Sequence, residues 1–463
     1  MMWSYVSLLS IAFSGVLAGT TLISDIASDA SSRVLQTPDP SGILATASLR
    51  SPVVDRDSPF FQSLGTNGRA CVTCHVPSQD WTISAADVRH RFDLTAGLDP
   101  IFRTVDGSNS PKADVSTTAA RRRAYSMLLS KGVIRVGIGI PANAEFELVR
   151  SDDPYGFATA AELSLFRRPL PSTNLSFLNA VMWDGRETLQ QLLPTSTPDQ
   201  NRAALRFDLG DQANGATRGH AQAARDLTDA ERLQIVDFET ALFTAQLVDD
   251  SAGSLRARGA TGGPQHLAEQ PFFIGIDDLV VNGATVTPPD PSMTLFTAWS
   301  GTRHGARQQA IARGEAIFDS RPITITGVAG LNDALGLSTI RGTCTTCHNT
   351  PNVGDHSTAA PLNIGIADAA RRTPDLPLYT LRNKATGELR QTTDPGRALI
   401  TGKWADIGKF KGPILRGLAA RAPYFHNGSA ATLQEVVDFY NTRFSLGLSP
   451  RDRADLIAFL EAL

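Results

Sequence analysis

The chain has 463 residues and a formal net charge of -3, which leaves room for two or three packed units and excludes a single small module. With so little net charge and no broad basic field, nothing is present to neutralise a phosphate backbone, which argues against nucleic acid as a partner. Hydrophobic residues make up 42% and charged residues 19%, the balance of a folded chain rather than a globally disordered one.

The apolar run from Val6 to Ala18, ending in small residues, predicts a secretory signal over 1–18. It is short for a bilayer span, and an uncleaved anchor is the alternative and the one membrane contact expected. The chain is accordingly expected in the periplasm or outside the cell. Residues 19–50, rich in Ser, Thr, Ala and Pro, predict a disordered lead-in. A first folded unit is expected over 51–250. Within it the alternation of Val136, Ile138, Ile140, Phe146 and Leu148 predicts a small hairpin between Gly132 and Val149. Thr228 and Glu231 form a capping box, and Leu233, Val236, Thr240 and Phe243 recur at helical spacing, so a long amphipathic helix is expected to close the unit. Residues 251–300 predict a linker or insertion with a short strand, Leu279 to Val281. The second unit, 301–463, opens on a helix around Arg307 to Phe318 and passes through a loop-dominated stretch, Pro361 to Lys409. It ends on two helices, announced by Thr432 with Glu435 and by Ser449 with Pro450.

Four cysteines occur in the whole chain, in two pairs: CVTCH at 71–75 and CTTCH at 344–348. Two disulfides, a zinc site or a redox dithiol are the ordinary readings of such pairs. The His that follows each pair distinguishes them. Cys71 and Cys74 are spaced to add to the two vinyl groups of one haem, and His75 then reaches the iron; Cys344, Cys347 and His348 repeat the arrangement. Two covalently bound haem c groups are therefore expected. Zinc is the weaker alternative, since the pairs lie far apart and each carries its own His.

With VMWDGRE at 181–187 and KFKGPILRGLAARAPYFHNGSAATLQEVVDFY at 409–440 added to the CxxCH pair, the chain resembles the bacterial di-haem cytochrome c peroxidase and MauG superfamily over most of 55–463. The resemblance implies a mainly α fold: two cytochrome-c-like haem domains facing each other, here with small β-hairpin insertions. It implies a reactive N-terminal haem at His75, where hydrogen peroxide or a related small oxidant is used, and a C-terminal haem at His348 that relays electrons. A redox partner protein or a protein substrate would be oxidised. MauG-type oxidation of protein residues, a rubber-oxygenase-like reaction with dioxygen and a non-enzymatic di-haem electron carrier are the alternatives.

Residue by residue, Trp183 matches the family's inter-haem Trp, against a packed core Trp before an Asp-Gly turn. The family's acid–base Glu, about twenty residues beyond the Trp, would fall on Ala203; GATRGHAQ offers His220 and Gln222 instead. His90 is expected on a solvated helix face, and His356 is a minor alternative iron ligand. His426 of PYFHNGS matches a family His of the inter-haem region. The resemblance also implies a calcium ion (Ca2+) between the haems, on carbonyls such as those of Arg421 and Pro423 and on an Asn side chain ahead of the Trp. The sixth ligand of the second haem is a Met in the peroxidase branch and a Tyr in the MauG branch, fourteen residues beyond the PYFH His. That position is Tyr440, and no Met follows Met293. Tyr440 shares a helical stripe with Leu433, Val436 and Val437.

Overall fold

The computed structural model describes residues 32–190, 197–271, 292–355 and 361–463. Its described elements are eleven α-helices and eleven strands, the strands in four sheets of four, three, two and two. Helices predominate, as expected, and local hairpins are present, as between Val34–Asp39 and Gly42–Ser48 and between Leu378–Asn383 and Leu389–Thr392. Other strands pair across long stretches of sequence, and that pairing places the site.

The four-stranded sheet begins inside the expected lead-in, which is corrected here: Val34–Asp39 and Gly42–Ser48 are strands, and the second pairs antiparallel with Leu242–Asp249. The Ser/Thr/Ala composition misled because these small residues are buried against a distant strand: Ala45, Thr46, Ala47 and Ser48 are all buried beside Leu242–Asp249. Leu44 and Ala45 are buried, and Leu35 packs with Phe60, Trp81 and Phe238 in the core of the first half.

The helix started by Thr228 is real and carries the capping box, but it spans Asp229–Glu239 and stops there. Leu233 is exposed, and Phe243 belongs to the strand that follows. The β-branched and aromatic run after Thr240 satisfied a helical period while being strand by pairing. The hairpin expected between Gly132 and Val149 is also corrected. Ile134–Ile138 pairs with Leu163–Arg167, and Phe146–Asp152 pairs with Leu378–Asn383, more than two hundred residues away. That second pairing, with Leu389–Thr392 as its outer strand, interrupts the stretch expected as loop and joins the halves. Phe146, Leu165, Tyr379, Leu381 and Ile407 share one core.

The described parts of 251–300 are packed rather than linking. Leu255, Phe296 and Trp299 lie in the core with Ile311, Phe318, Leu456 and Phe459. The strand expected at Leu279 to Val281 lies outside the described residues, as does the signal over 1–18. The helices Ala306–Ser320, Leu433–Arg443 and Pro450–Glu461 stand where expected, the last with Ser449 as N-cap and Pro450 at its first position. Among the described residues no helix is long and apolar enough to cross a membrane.

Candidate functional site

Both CxxCH segments fold into the same turn. Cys71–Thr73 and Cys344–Thr346 are 3-10 turns, each closed by its own Thr: Thr73 Oγ1 accepts from Ala70 N at 3.0 Å and Thr346 Oγ1 from Thr343 N at 2.9 Å. His75 N then donates to Cys71 O, and His348 N to Cys344 O, both at 3.0 Å. All four thiols are free, which removes the disulfide reading. Burial pushes the Cys71, Cys344 and Cys347 thiols up to about 12, so they are protonated at neutral pH.

The imidazoles are oriented alike. His75 Nδ1 lies 3.0 Å from Trp81 O and 2.9 Å from Ser172 Oγ, and His348 Nδ1 lies 2.7 Å from Gly354 O. An Nδ1–H donated to a carbonyl fixes the tautomer whose Nε2 carries the lone pair an iron takes. Gly354 turns with φ +61, which a side chain adopts only with strain, and an added Cβ would meet Met293 Cε at 2.9 Å. Trp81 is itself held at φ 55, with its indole N–H donated to Thr46 Oγ1 at 3.0 Å. The corrected lead-in strand thus anchors the residue whose carbonyl aims His75. Burial pulls His75 down to about 4, leaving it neutral as a ligand must be.

One cavity reaches from Cys71, Cys74 and His75 to Cys344, Cys347 and His348. Apolar side chains such as Leu178, Leu209, Phe318, Leu433 and Val437 wall it, the last three sharing a core cluster with Cys344 and Cys347. Lys411 lines it too; its ammonium donates to Gly412 O at 2.9 Å, and burial pulls it down to about 8. Free thiols, carbonyl-oriented imidazoles, apolar walls and a buried cation suited to a propionate all fit a haem at each end. A zinc centre does not fit, since no group of three or more His, Cys, Asp or Glu side chains gathers among the described residues.

Trp183 lines the cavity. Its indole N–H donates to Arg168 O at 2.8 Å and its carbonyl accepts from Lys411 N at 2.8 Å. The WDGR turn is fixed from below: buried Asp184 is ion-paired with Arg167, which also grips Asp394 at 2.7 and 2.9 Å. His426 stacks on Phe410 with centroids 4.0 Å apart, its Nε2 lies 3.7 Å from Asp394 Oδ2, and burial pulls it down to about 4.

His220 lines the same cavity, at the C-terminus of helix Pro198–Gly219. Its Nδ1 lies 2.5 Å from Asp106 Oδ2, and Asp106 Oδ1 accepts from Arg69 Nη1 at 2.5 Å. Against the effect of burial, His220 and Arg69 hold the Asp106 carboxyl below the usual range. Gln222 is not brought into this cluster. It is exposed, has φ 56 and takes a hydrogen bond from Asn67 at 3.4 Å, so the expected catalytic role is withdrawn. His90 is exposed on its helix, as expected, and His356 lies outside the described residues.

Tyr440 lines the second end of the cavity with Leu433, Val436 and Val437. Its ring stands edge-on to Phe439 and stacks on Phe444. Burial, with Cys347 and Cys344 nearby, pushes its phenol up. Among the described residues no protein group bonds its hydroxyl.

Sequence reasoning missed Asp106, Arg69, Arg168 and Glu239. Glu239 lines the cavity near Cys71, beside the Ser172 hydroxyl that also meets His75, and burial pushes it up to about 7. Its capped helix was legible; its inward aim was not. Arg421 O, one of the carbonyls that the resemblance implies for calcium, accepts from the Arg168 guanidinium at 2.9 Å.

A RoxA-like, cytochrome c-like family model matches residues 409–445. The chain is 38% identical over 141 residues to cytochrome-c peroxidase IdrP2 of Denitromonas iodatirespirans, covering 28% of this chain and 38% of that one. It is 34% identical over 194 residues to cytochrome-c peroxidase IdrP1 of Pseudomonas sp. (strain SCT), covering 38% and 45%. With methylamine utilization protein MauG of Methylophilus methylotrophus it shares 24% over 318 residues, covering 66% and 70%. The aligned part thus spans under half the length of each of the two peroxidases.

Proposed function

We propose, for a chain that belongs to the di-haem cytochrome c peroxidase and MauG superfamily, that the protein is a periplasmic di-haem oxidoreductase acting on hydrogen peroxide or a related oxidant. One haem c is held by Cys71 and Cys74 with His75 on its iron, the other by Cys344 and Cys347 with His348. The observation that carries this reading is the single cavity that runs from His75 to His348 with Trp183 in its wall.

When bound, haem c would supply a redox-active iron and a store for oxidising equivalents. The chain's own groups divide the remaining work. His75, neutral and held through Nδ1, presents Nε2 in a fixed direction. His220 moves a proton between the two peroxide oxygens, with Asp106 holding its Nδ1–H and so leaving Nε2 as the exchanging nitrogen. Trp183, its N–H fixed on Arg168 O, is the stopping point for an electron passing between the halves, and His426 lines that junction. Tyr440, in the cavity wall at the second CxxCH, would offer its phenolate oxygen to the haem held by Cys344, Cys347 and His348, and a hard anionic donor there would favour MauG-type oxidation of a protein substrate over simple electron storage.

The test is titration of the purified holoprotein with hydrogen peroxide while the visible and near-infrared spectra are followed. Both haem signals are expected to change together. An oxidised protein with no high-spin EPR signal and no response to peroxide would be an electron carrier instead.

A further inference from the structure

Arg168 is 6% exposed, and its guanidinium reaches three backbone carbonyls from three separate segments. Nη2 donates to Ile83 O at 2.6 Å and to Arg421 O at 2.9 Å; Nη1 donates to Lys131 O at 3.2 Å. Lys131 ends helix Ser126–Lys131, so its carbonyl belongs to the negative end of a helix. Gly132 admits the guanidinium: at φ +57, an added Cβ would stand 2.7 Å from Nη1. Among the described residues Arg168 makes no ion pair. A cation held by converging carbonyls, two from the first half of the chain and one from the second, is the arrangement by which proteins coordinate a hard metal ion, with the metal replaced by a side chain.

The backbone of Arg168 joins the same junction. Its N–H donates to His426 O at 2.6 Å, and its carbonyl accepts the Trp183 indole N–H. Calcium needs six to eight oxygens at about 2.3–2.6 Å. An ion on Arg421 O would crowd a guanidinium already bonded there. The carboxylate nearest Arg421 is buried Asp80, whose Oδ2 lies 3.6 Å from Arg421 Nε. Burial and Arg421 pull Arg168 down to about 9, so it remains a cation at neutral pH.

We propose that the Arg168 guanidinium is the resident cation of this junction, standing in for the calcium ion implied by the family resemblance, so that Trp183 and His426 are held without calcium. The test uses holoprotein desalted from calcium-containing buffer, with metal content measured by mass spectrometry and thermal melting and visible spectra recorded with calcium or with EDTA. The expected result is substoichiometric calcium and no change between the two conditions. Stoichiometric calcium, or a melt or spectrum shifted by EDTA, would overturn the proposal. Arg168→Asn, which keeps the carbonyls but removes the cation, should lower the melting temperature by about 3–6 °C, and added calcium should restore part of the loss. A variant as stable as the parent, or a loss that calcium does not relieve, counts against the proposal. If Arg168→Asn yields no holoprotein, Arg168→Lys decides: calcium-indifferent melting supports the proposal, and calcium-dependent melting refutes it.

Discussion

The rings of Trp183 and His426 stand edge to face, 6.2 Å between centroids at 63°, and both residues are tied to Arg168: the indole N–H donates to its carbonyl, and its N–H donates to the His426 carbonyl. The two rings therefore cannot shift independently of the residue between them. A Trp→Phe change keeps most of the half-buried ring and removes its one polar side-chain contact, worth about 1 kcal/mol.

Trp183→Phe is accordingly expected to retain both covalent haems and to lose about 1 kcal/mol of stability, while electron sharing between the halves slows. Rapid-mixing spectra after a single reducing or oxidising equivalent measure the sharing. Unchanged kinetics would mean that the indole is packing only.

His220→Ala should slow the reaction with peroxide by about 10²–10⁴-fold, the range of general acid–base catalysis, without altering the spin state of either haem. The comparison variant is Asp106→Asn, which also strips Arg69 of its carboxylate. Arg69 and Asp106 side chains are 3% and 7% exposed, so removing one leaves the other buried and uncompensated, at about 3–5 kcal/mol. A lower melting temperature in Asp106→Asn but not in His220→Ala separates the structural role of the carboxylate from the proton transfer.

What could be seen in the sequence was what is local. Cys71 to His75 and Cys344 to His348 declare their chemistry within five residues. The stripe from Leu433 to Tyr440 declares its inward face within two helical turns, and the caps at Thr228, Thr432 and Ser449 are three-residue signals. What was hidden depends on distant partners. Thr46 has meaning only against Trp81 and Thr244, and Phe146 only against Asn383. Asp106 meets His220 across 114 residues and Arg168 meets Arg421 across 253. No spacing rule reaches that far, and a strand whose partner is two hundred residues away shows only composition.

Glu239 gives the stability a pH dependence of definite sign. Unfolded, a glutamate loses its proton near about 4.3; folded, burial keeps it up to about 7. Between those values the folded chain binds more protons than the unfolded one, so stability falls as pH rises through the window and levels off above it. Glu239→Gln removes this contribution. Near pH 8 the variant should be the more stable protein, by up to about 3 kcal/mol, and near pH 4 the two should converge. Thermal melts of both holoproteins across that range measure it, and a constant difference would place the carboxylate in water.

Tyr440 carries the prediction that divides the two branches of the superfamily. It is the fourth member of a stripe whose other residues, Leu433, Val436 and Val437, line the same end of the cavity, so the helix delivers its ring to the His348 end by geometry alone. A core tyrosine is ordinarily bonded to a backbone carbonyl, as Tyr424 is to Leu418 O at 2.8 Å and Tyr379 to Ser164 O at 2.8 Å. Tyr440 has no such partner among the described residues. Burial pushes its phenol up, which opposes ionisation unless a positive centre stands at the oxygen. A cationic centre at the oxygen would favour the phenolate, and phenolate stabilises ferric over ferrous iron. Tyr440→Phe should remove the ligand while preserving the packing against Phe439 and Phe444, raise the reduction potential of the His348 haem, and change its EPR signal from low-spin. Magnetic circular dichroism and a redox titration read both effects. A haem that stays low-spin and unshifted would mean that another side chain completes the coordination at His348.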